Sequence, residues 1–415
     1  MKVFKFGGAS VKDAPSIANV GRIVNSFKKE KLLVVISAMG KTTNALEEVI
    51  SLSEAGKHYE VALDQIFSYH SQMAQSVVEN PSQVLDVIST IRNEVNDQLN
   101  QNFHFDKRYD QVVSAGELLS SVIVNAHLQS IGINSEWVDA RQLIITDSTF
   151  REGKVNWEAS EINIQRLLPQ LENKVLVTQG FIGSDPSHLT TTLGREGSDF
   201  SAAIFASCLN AIDVTIWKDV PGVMSADPKR LPSAVTFEEL PFREAAEMTY
   251  YGASVIHPKT IKPLANKGIN LYVKNFDNVN LPGTRIHECV VKSLPPLIVF
   301  KDNQCLVSCH VTDYTFIDES QLEFIFNALK SHGLRLNLMQ NSAISFSFCL
   351  DFQESKVIAL IQVLSTYFEV YYNTGLTLIT VKNYDSNSFE KYRSQKGVVL
   401  EQSSRSTLQV LIKSN

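Results

Sequence analysis

The chain opens with two apolar segments separated by a turn and an amphipathic stretch. Residues 2–6 alternate and are β-branched or aromatic, which predicts a strand. After Asp13, apolar residues recur at helical spacing, with Pro15 in the first turn, so a helix is predicted to begin there. Residues 31–36 form a continuous apolar run, as in a strand buried on both faces of a parallel sheet. The order predicts a βαβ opening.

Further along, the same patterns extend this sheet. Residues 174–178 and 214–217 are again apolar runs followed by polar turns, which predicts two more buried strands. Residues 57–100 show only helical periodicity and predict a helical insertion without chemistry of its own. Gln179 to Ser184 are predicted to form a flexible lip.

The pattern changes near Pro295-Pro296, which predicts a domain boundary with one domain over 1–294 and a second over 295–415. Within the second domain, strands and helices between 304 and 373 follow the order βαββαβ, the ferredoxin-like unit.

The last segment, 376–415, is too short for another full copy of this unit. A strand near 297–301 would complete it, making the first unit an insertion in the second.

Composition narrows the function classes. The chain has 415 residues, 44% of them hydrophobic and 20% charged, with a net charge of −6. This charge argues against general binding to nucleic acid or to an anionic membrane. No apolar run approaches membrane-spanning length, and the amino terminus enters a strand without a signal-peptide core. Five cysteines without a CxxC pattern indicate structural thiols. We therefore expect a cytoplasmic protein.

One loop is the strongest candidate for chemistry. Leu193 to Ser201 is a glycine-containing loop that leads into a helix, and either Ser198 or Asp199 is predicted to cap that helix. Free N–H groups at a helix start favour anions, and the Arg195 guanidinium fits a carboxylate or phosphate in bidentate fashion. On this stretch alone, an ordinary loop with a capped helix is equally compatible.

Other strand ends also carry candidates. The Gly7-Gly8 and Pro221-Gly222 turns suit a substrate with several anionic oxygens, because backbone N–H groups can approach phosphates there. No Walker-type lysine pattern or dinucleotide fingerprint is present, so phosphoryl transfer would depend on positioning and charge neutralisation. Lys5 precedes Gly7-Gly8 and is the candidate cation, although a lysine on a strand is more often a paired residue.

Glu117 is a carboxylate within an apolar helical stretch. Such a residue is usually solvated or salt-bridged, but it could equally be the ligand of an ammonium group.

Taken in order, six motifs resemble those of aspartokinases, members of the amino-acid kinase superfamily. The resemblance covers the chain nearly end to end. The motifs are Lys5–Ser10, Ser114–Leu118, Gly180–Gly183, Leu193–Ser201, Asp219–Val223 and Glu247–Pro258.

This resemblance implies a fold and an activity. The fold would be α/β, a three-layer α/β/α sandwich with a mainly parallel sheet, followed by paired ferredoxin-like ACT units. The activity would be ATP- and Mg²⁺-dependent phosphorylation of the L-aspartate side-chain carboxylate to 4-phospho-L-aspartate. That reaction is the first step towards lysine, threonine, methionine and, in bacteria, diaminopimelate. Because the chain ends shortly after the ACT region, we expect a monofunctional enzyme.

The resemblance also implies three sets of site residues. The catalytic residues would be Lys5 and Asp199. Aspartate would be bound by Ser37, Thr43, Glu117, Arg195 and Ser198, with Arg195 on the α-carboxylate and Glu117 on the ammonium. ATP would be bound by Lys5, Gly7, Gly8, Lys218, Asp219, Met224, Lys229, Ser254 and Val255. Protein side chains are not expected to bind the Mg²⁺, which would be held through the ATP phosphates.

The nucleotide side departs from the family pattern. Ser254 stands where many aspartokinases have a lysine, and Lys218 stands where they have a threonine. We hypothesise that Lys218 supplies the missing cation from the neighbouring loop. Met224 and Lys229 likewise stand where the family often has tyrosine and arginine.

Partners and alternatives follow from the same resemblance. The ACT region predicts a homodimer, with lysine or threonine as a possible effector. The turn at 312–318 lacks the glycine common in effector-binding ACT units, whereas 339–345 resembles the effector-side segment. Two alternatives stay open: another amino-acid kinase such as an acetylglutamate kinase, and a catalytically inactive ACT-containing amino-acid sensor. Glu117 argues against the first, since an acetylated amine needs no carboxylate.

Overall fold

A computed structural model describes residues 1–253, 256–313 and 315–413. The predicted nucleotide residues Ser254 and Val255 lie outside this range. The chain divides into two compact units. The first comprises Met1–Val223, Thr236–Thr249 and Ser254–Val291, and the second comprises Met224–Val235, Tyr250–Ala253 and Lys292–Asn415. The chain passes into the second unit for the last time between residues 291 and 292, and two earlier segments, 224–235 and 250–253, also belong to that unit.

The first unit is built on a parallel sheet. Its strands are β1 (Lys2–Phe6), β2 (Leu32–Ile36), β3 (Ser135–Trp137), β4 (Val175–Gln179), β5 (Ile182–Ser184), β6 (Thr190–Thr192), β7 (Asp213–Lys218), β8 (Glu239–Pro241), β9 (Asn270–Asn275) and β10 (Thr284–His287). Its helices are α1 (Ala14–Ser26), α2 (Thr42–Glu54), α3 (Glu60–Val77), α4 (Ser82–Leu99), α5 (Phe105–Val113), α6 (Ala115–Ser130), α7 (Trp157–Gln165), α8 (Leu168–Leu171), α9 (Gly197–Cys208), α10 (Phe242–Tyr250) and α11 (Pro258–Lys267).

The main sheet has eight strands in the order β3-β4-β2-β1-β7-β9-β10-β8. All neighbours are parallel except β9 and β10. Helices cover the sheet, with α6 packed on β2, β3 and β4 and α9 packed on β1, β2 and β7. The strands β2 and β4 are buried along their whole length, as their apolar runs predict. The predicted α/β/α sandwich is confirmed.

Turns at the carboxyl ends of the central strands are held close together. The Ser37 N–H donates to Phe6 O at 3.1 Å, and the Gly40 N–H donates to Gly8 O at 3.0 Å. A Cβ on Gly8 would lie 2.7 Å from Ala38 O, so only glycine allows this approach. Ligands of open parallel sheets bind at this edge.

The second unit contains one antiparallel sheet. Its elements are β11 (Leu297–His310), α12 (Glu319–Ser331), β12 (Leu336–Asn341), β13 (Ser345–Asp351), α13 (Glu354–Leu364), β14 (Glu369–Lys382), α14 (Ser386–Arg393), β15 (Val398–Ser403) and β16 (Thr407–Lys413). The six strands follow the order β12-β13-β11-β14-β16-β15.

Two ferredoxin-like halves share the long strands β11 and β14. Residues 304–310 of β11 pair with β13 and with the first part of β14, whereas 297–301 pair with 378–382. Register shifts after Lys301 separate the two halves. The sequence pattern predicted a strand near 297–301 separate from the unit that begins at 304. Both segments belong to the single bulged strand β11, because a bulge bends a strand without ending it.

One further prediction differs from the structure. The segment predicted as a flexible lip contains β5, which pairs antiparallel with β6. Within the described residues, no helix is both long and apolar enough to cross a bilayer.

Candidate active site

Two lysines converge on one buried carboxylate, an arrangement that we call the lysine pair (Lys5 and Lys218). Lys5 lies on β1, and its Nζ is 2.6 Å from Asp199 Oδ1. Lys218 ends the neighbouring strand β7, and its Nζ is 3.6 Å from Asp199 Oδ2. Lys5 is 7% exposed and Asp199 is fully buried. Parallel pairing of β1 with β7 and the packing of α9 on both strands bring these three side chains together.

The lysine pair fixes the charge of Asp199. Burial would raise the pKa of this carboxyl, but the positive charges of Lys5 and Lys218 and their hydrogen bonds hold it below its ordinary value. The carboxylate is therefore ionised at neutral pH and can orient both ammonium groups.

The helix carrying Asp199 begins differently from the prediction. Neither Ser198 nor Asp199 caps α9, because the helix starts at Gly197 and its N-cap position is Glu196, without a side-chain cap. Glu196 has a left-handed backbone, with φ of 55°. Both predicted caps therefore lie in the first turn, where their side chains are available for the site.

A cavity of about 660 Å³ lies next to this helix start. It brings together side chains that are far apart in sequence. All five predicted aspartate-binding residues line it: Ser37, Thr43, Glu117, Arg195 and Ser198. We refer to it below as the cavity.

Glu117 is the most unusual group in the cavity. It is 4% exposed, and its Oε1 accepts a hydrogen bond from the Ala38 N–H at 3.3 Å. Its Oε2 has no hydrogen-bond partner within the described part of the chain. Burial raises the pKa of the Glu117 carboxyl to about 8, although the Ala38 hydrogen bond and the charge of Lys5 oppose the shift. A buried carboxyl with a vacant oxygen is suited to receive an ammonium group.

Serine hydroxyls connect the cavity to the helix start. Ser37 Oγ donates to Ser198 Oγ at 2.9 Å, and Ser120 Oγ donates to Ser37 O at 2.7 Å. A Cβ on Gly180 would lie 2.4 Å from Ser198 Cβ, so the loop after β4 packs tightly against α9. The side chains of Ser37 and Ser198 are thus held within reach of a bound polar ligand.

The wall of the cavity also contains residues that sequence reasoning missed. They are Asp106, Tyr109, Phe150, Arg151 and Glu152. The Arg151 guanidinium lies 4.4 Å from the centroid of the Tyr109 ring, a cation–π contact, and 3.5 Å from Asp106. Arg151 also has a left-handed backbone, with φ of 68°. Its neighbours in sequence give no motif, so no sequence signal marked this loop.

The predicted nucleotide residues are only partly brought together. Gly7 and Gly8 follow β1. Lys218 is the last residue of β7 and Asp219 follows it, at the same edge of the sheet. Met224 and Lys229 belong to Met224–Val235 of the second unit, and this segment contributes Ala226 to the core there. Among the described residues, no group of three or more His, Cys, Asp or Glu side chains forms a metal cluster.

Comparison with known proteins identifies the family of this chain. Residues 1–275 match the amino acid kinase family. The chain is 32% identical to lysine-sensitive aspartokinase 3 of Escherichia coli over 84% of this chain and 78% of that one. It superimposes on the crystal structure of E. coli aspartokinase III in complex with aspartate and ADP with a TM-score of 0.84 and 28% identity, covering 100% of this chain and 96% of the other.

The chain is also 31% identical to a bifunctional aspartokinase/homoserine dehydrogenase of Arabidopsis thaliana, over 88% of this chain. It spans only 42% of that protein's length. The family match and the E. coli relative nevertheless cover most of this chain. The chain therefore belongs to the amino acid kinase family and, within it, to the aspartokinases.

Proposed function

We propose that this chain is an aspartate kinase that transfers the γ-phosphoryl group of ATP to the side-chain carboxylate of L-aspartate. The product would be 4-phospho-L-aspartate, the first intermediate towards lysine, threonine and methionine. The observation that carries this proposal is the cavity, which is lined by Arg195 and by Glu117, whose Oε2 has no hydrogen-bond partner among the described residues. The charge of Lys5 acts on the Glu117 carboxyl, which connects the cavity with the lysine pair.

Both α-groups of L-aspartate would have a complementary side chain. Arg195 would grip the α-carboxylate in bidentate fashion, and Glu117 would accept hydrogen bonds from the α-ammonium. Ser37, Thr43 and Ser198 would complete the polar wall. The reacting carboxylate is ionised at neutral pH, so its attack on the phosphoryl group needs no general base.

The lysine pair would act on the transferred group. Phosphoryl transfer depends on positioning and on neutralising charge spread over the phosphoryl oxygens. Lys5 would stabilise that charge, with backbone N–H groups of Gly7 and Gly8 nearby, and Asp199 would orient the lysine. Mg²⁺ would be held through the ATP phosphates and would neutralise further negative charge when bound.

Lys218 is proposed to replace the family lysine absent at Ser254. Its ammonium lies 3.6 Å from Asp199, the carboxylate that also holds Lys5. Lys218 ends β7 at the same sheet edge as the Gly7-Gly8 turn, and this position supports a role in binding triphosphate. Asp219, Met224, Lys229 and Val255 stay in the proposal as nucleotide residues.

A coupled ADP-release assay tests the proposed function. The purified chain, MgATP and one of L-aspartate, L-glutamate or N-acetyl-L-glutamate are combined, and ADP formation is measured. Only L-aspartate should support turnover, with 4-phospho-L-aspartate trapped by hydroxylamine. Turnover with acetylglutamate would favour the rival kinase, and binding of amino acid without turnover would favour the sensor.

The setting of the enzyme is part of the same proposal. We infer a homodimer formed through the ACT region, regulated by lysine or threonine, and a reducing cytoplasmic compartment. The name of the lysine-sensitive E. coli relative supports lysine as effector, and the five unpaired cysteines support the compartment. Light scattering at micromolar concentration would contradict the dimer if it returned the monomer mass.

A further inference from the structure

One buried carboxylate outside the predicted site connects three segments that line the cavity. Asp110, on α5, is fully buried. Its Oδ2 accepts hydrogen bonds from the Arg151 N–H at 2.9 Å and the Thr192 N–H at 2.8 Å. Its Oδ1 accepts a hydrogen bond from Thr192 Oγ1 at 2.8 Å. Both partners, and Tyr109 beside it, line the cavity.

The segments held by Asp110 carry Arg151 and lead to Arg195, two of the charged residues that line the cavity. Arg151 lies in the loop between Asp147 and Gly153, and its left-handed backbone is uncommon for a residue with a side chain. Thr192 ends β6, three residues before Arg195. The Gly153 N–H donates to Thr192 O at 2.8 Å, which connects the loop directly to that strand.

The backbone next to Arg195 lies close to this loop. Gly194 has φ of 75°, and a Cβ there would lie 3.3 Å from Arg151 O. The loop bearing Arg151 thus packs against the backbone from which Arg195 projects. Loss of the Asp110 hydrogen bonds would free both segments, because their backbone N–H groups would lose a buried acceptor.

We propose that Asp110 is a positioning residue for amino-acid binding, which sets the geometry of Arg151 and of the strand leading to Arg195. This inference rests on the proposed function for the identity of the substrate. It does not place Asp110 in contact with aspartate or ATP. Its effect should therefore appear in aspartate affinity and leave ATP affinity unchanged.

Two substitutions separate hydrogen bonding from charge. Asp110→Ala removes all the accepted hydrogen bonds and should raise the KM for aspartate about tenfold or more, with the KM for ATP within about twofold. Asp110→Asn can still accept both N–H bonds through its amide oxygen and donate to Thr192 Oγ1. It should restore the KM for aspartate to within about threefold of the wild-type value. If both variants had equally poor aspartate affinity, positioning by hydrogen bonds would be wrong.

Asp213→Asn is the matched control. Asp213 is also a buried carboxylate of the first unit, but it begins β7 and pairs with Lys2, at the opposite end of the strands from the cavity. This variant should leave both KM values unchanged. If it changed the KM for aspartate as much as Asp110→Ala, general destabilisation would explain the effect and the inference would fail. Should Asp110→Ala not fold, Thr192→Val removes one bond only and should give a smaller rise in the same KM.

Amide hydrogen exchange tests the inference without turnover. In Asp110→Ala or Thr192→Val, peptides covering 147–153 and 190–195 should exchange faster than in wild type, with other peptides of the first unit unchanged. Unchanged exchange in those two peptides would overturn the inference whatever the substrate is. A wild-type chain that is inactive with aspartate would instead overturn the proposed function, while the exchange data would still decide the role of Asp110.

Discussion

The lysine pair and the cavity lie at the same edge of the parallel sheet but are built in different ways. Lys5 and Lys218 project from adjacent strands, so sheet register fixes their separation and Asp199 holds both. Arg195 and Arg151 project from loops, and we propose that their positions depend on the hydrogen bonds that Asp110 accepts from segments far apart in sequence. Charges on strands are thus positioned by the fold, whereas charges on loops need dedicated anchors.

The largest expected effect is on kcat and concerns Lys5, the lysine on strand β1. Lys5→Met should lower kcat about 100- to 1000-fold, because the variant loses a cation positioned to stabilise charge in the transition state. The KM for aspartate should change little. Steady-state kinetics of ADP release measure both values.

Lys2→Met is the control for that variant. Lys2 lies on the same strand, but it pairs with Asp213 at 2.8 Å at the strand's beginning. It should retain the wild-type kcat. An equal loss of kcat in both variants would mean that β1 matters only for folding, and the contrast between strand and loop charges would disappear.

The next effect concerns the cavity. Glu117→Gln should raise the KM for aspartate about 100-fold, because a buried ammonium would lose its charged partner. Succinate, which is aspartate without the amino group, provides the sharper measurement. Wild type should strongly prefer aspartate over succinate in kcat/KM, and Glu117→Gln should lose most of that preference. If the preference survived, Glu117 would not be the ammonium ligand.

A smaller effect is expected for the second lysine. Lys218→Ala should raise the KM for ATP about tenfold and leave the KM for aspartate within about twofold. The variant loses one of the positively charged side chains that are proposed to bind the triphosphate. Lys274→Ala is the control, because Lys274 lies on the adjacent strand β9, opposite Trp217 in the strand register. Equal effects of Lys218→Ala on both KM values would contradict the proposed replacement of the missing lysine.

The same contrast explains what the sequence could predict. Apolar runs and polar turns identified the central strands, and with them Lys5, Lys218 and the loops that follow. Family motifs supplied Glu117 and Arg195, and all the predicted aspartate residues line one cavity. These features are local in sequence, so a periodicity or a motif can reveal them.

The missed features are not local. Asp110 accepts hydrogen bonds from residues 41 and 82 positions away, which no periodicity encodes. The strand β5 was missed because three residues carry too little pattern, and its partner β6 follows a turn. The helix α9 starts at Gly197, earlier than predicted, because Glu196 before it has a left-handed backbone. This conformation is uncommon for a residue other than glycine, so local propensity does not predict it. In each case a tertiary contact outweighed the local preference.

The final prediction concerns protons. Because burial raises the pKa of the Glu117 carboxyl to about 8, this group is mainly protonated at neutral pH in the free protein. An ammonium ligand favours the ionised form, so aspartate binding should release close to one proton at pH 7. The ionised fraction rises from about one-tenth at pH 7 to about one-half at pH 8, so aspartate affinity should increase about fivefold over that interval.

Calorimetry in two buffers of different ionisation enthalpy measures the proton release directly. Glu117→Gln, which has no ionisable group at this position, should release none and should lack the increase in affinity. Proton release by wild type that persisted in Glu117→Gln would assign the titration to another group. Since Glu117 lines the cavity, proton release that depends on Glu117 also distinguishes aspartate bound there from aspartate bound at the ACT units.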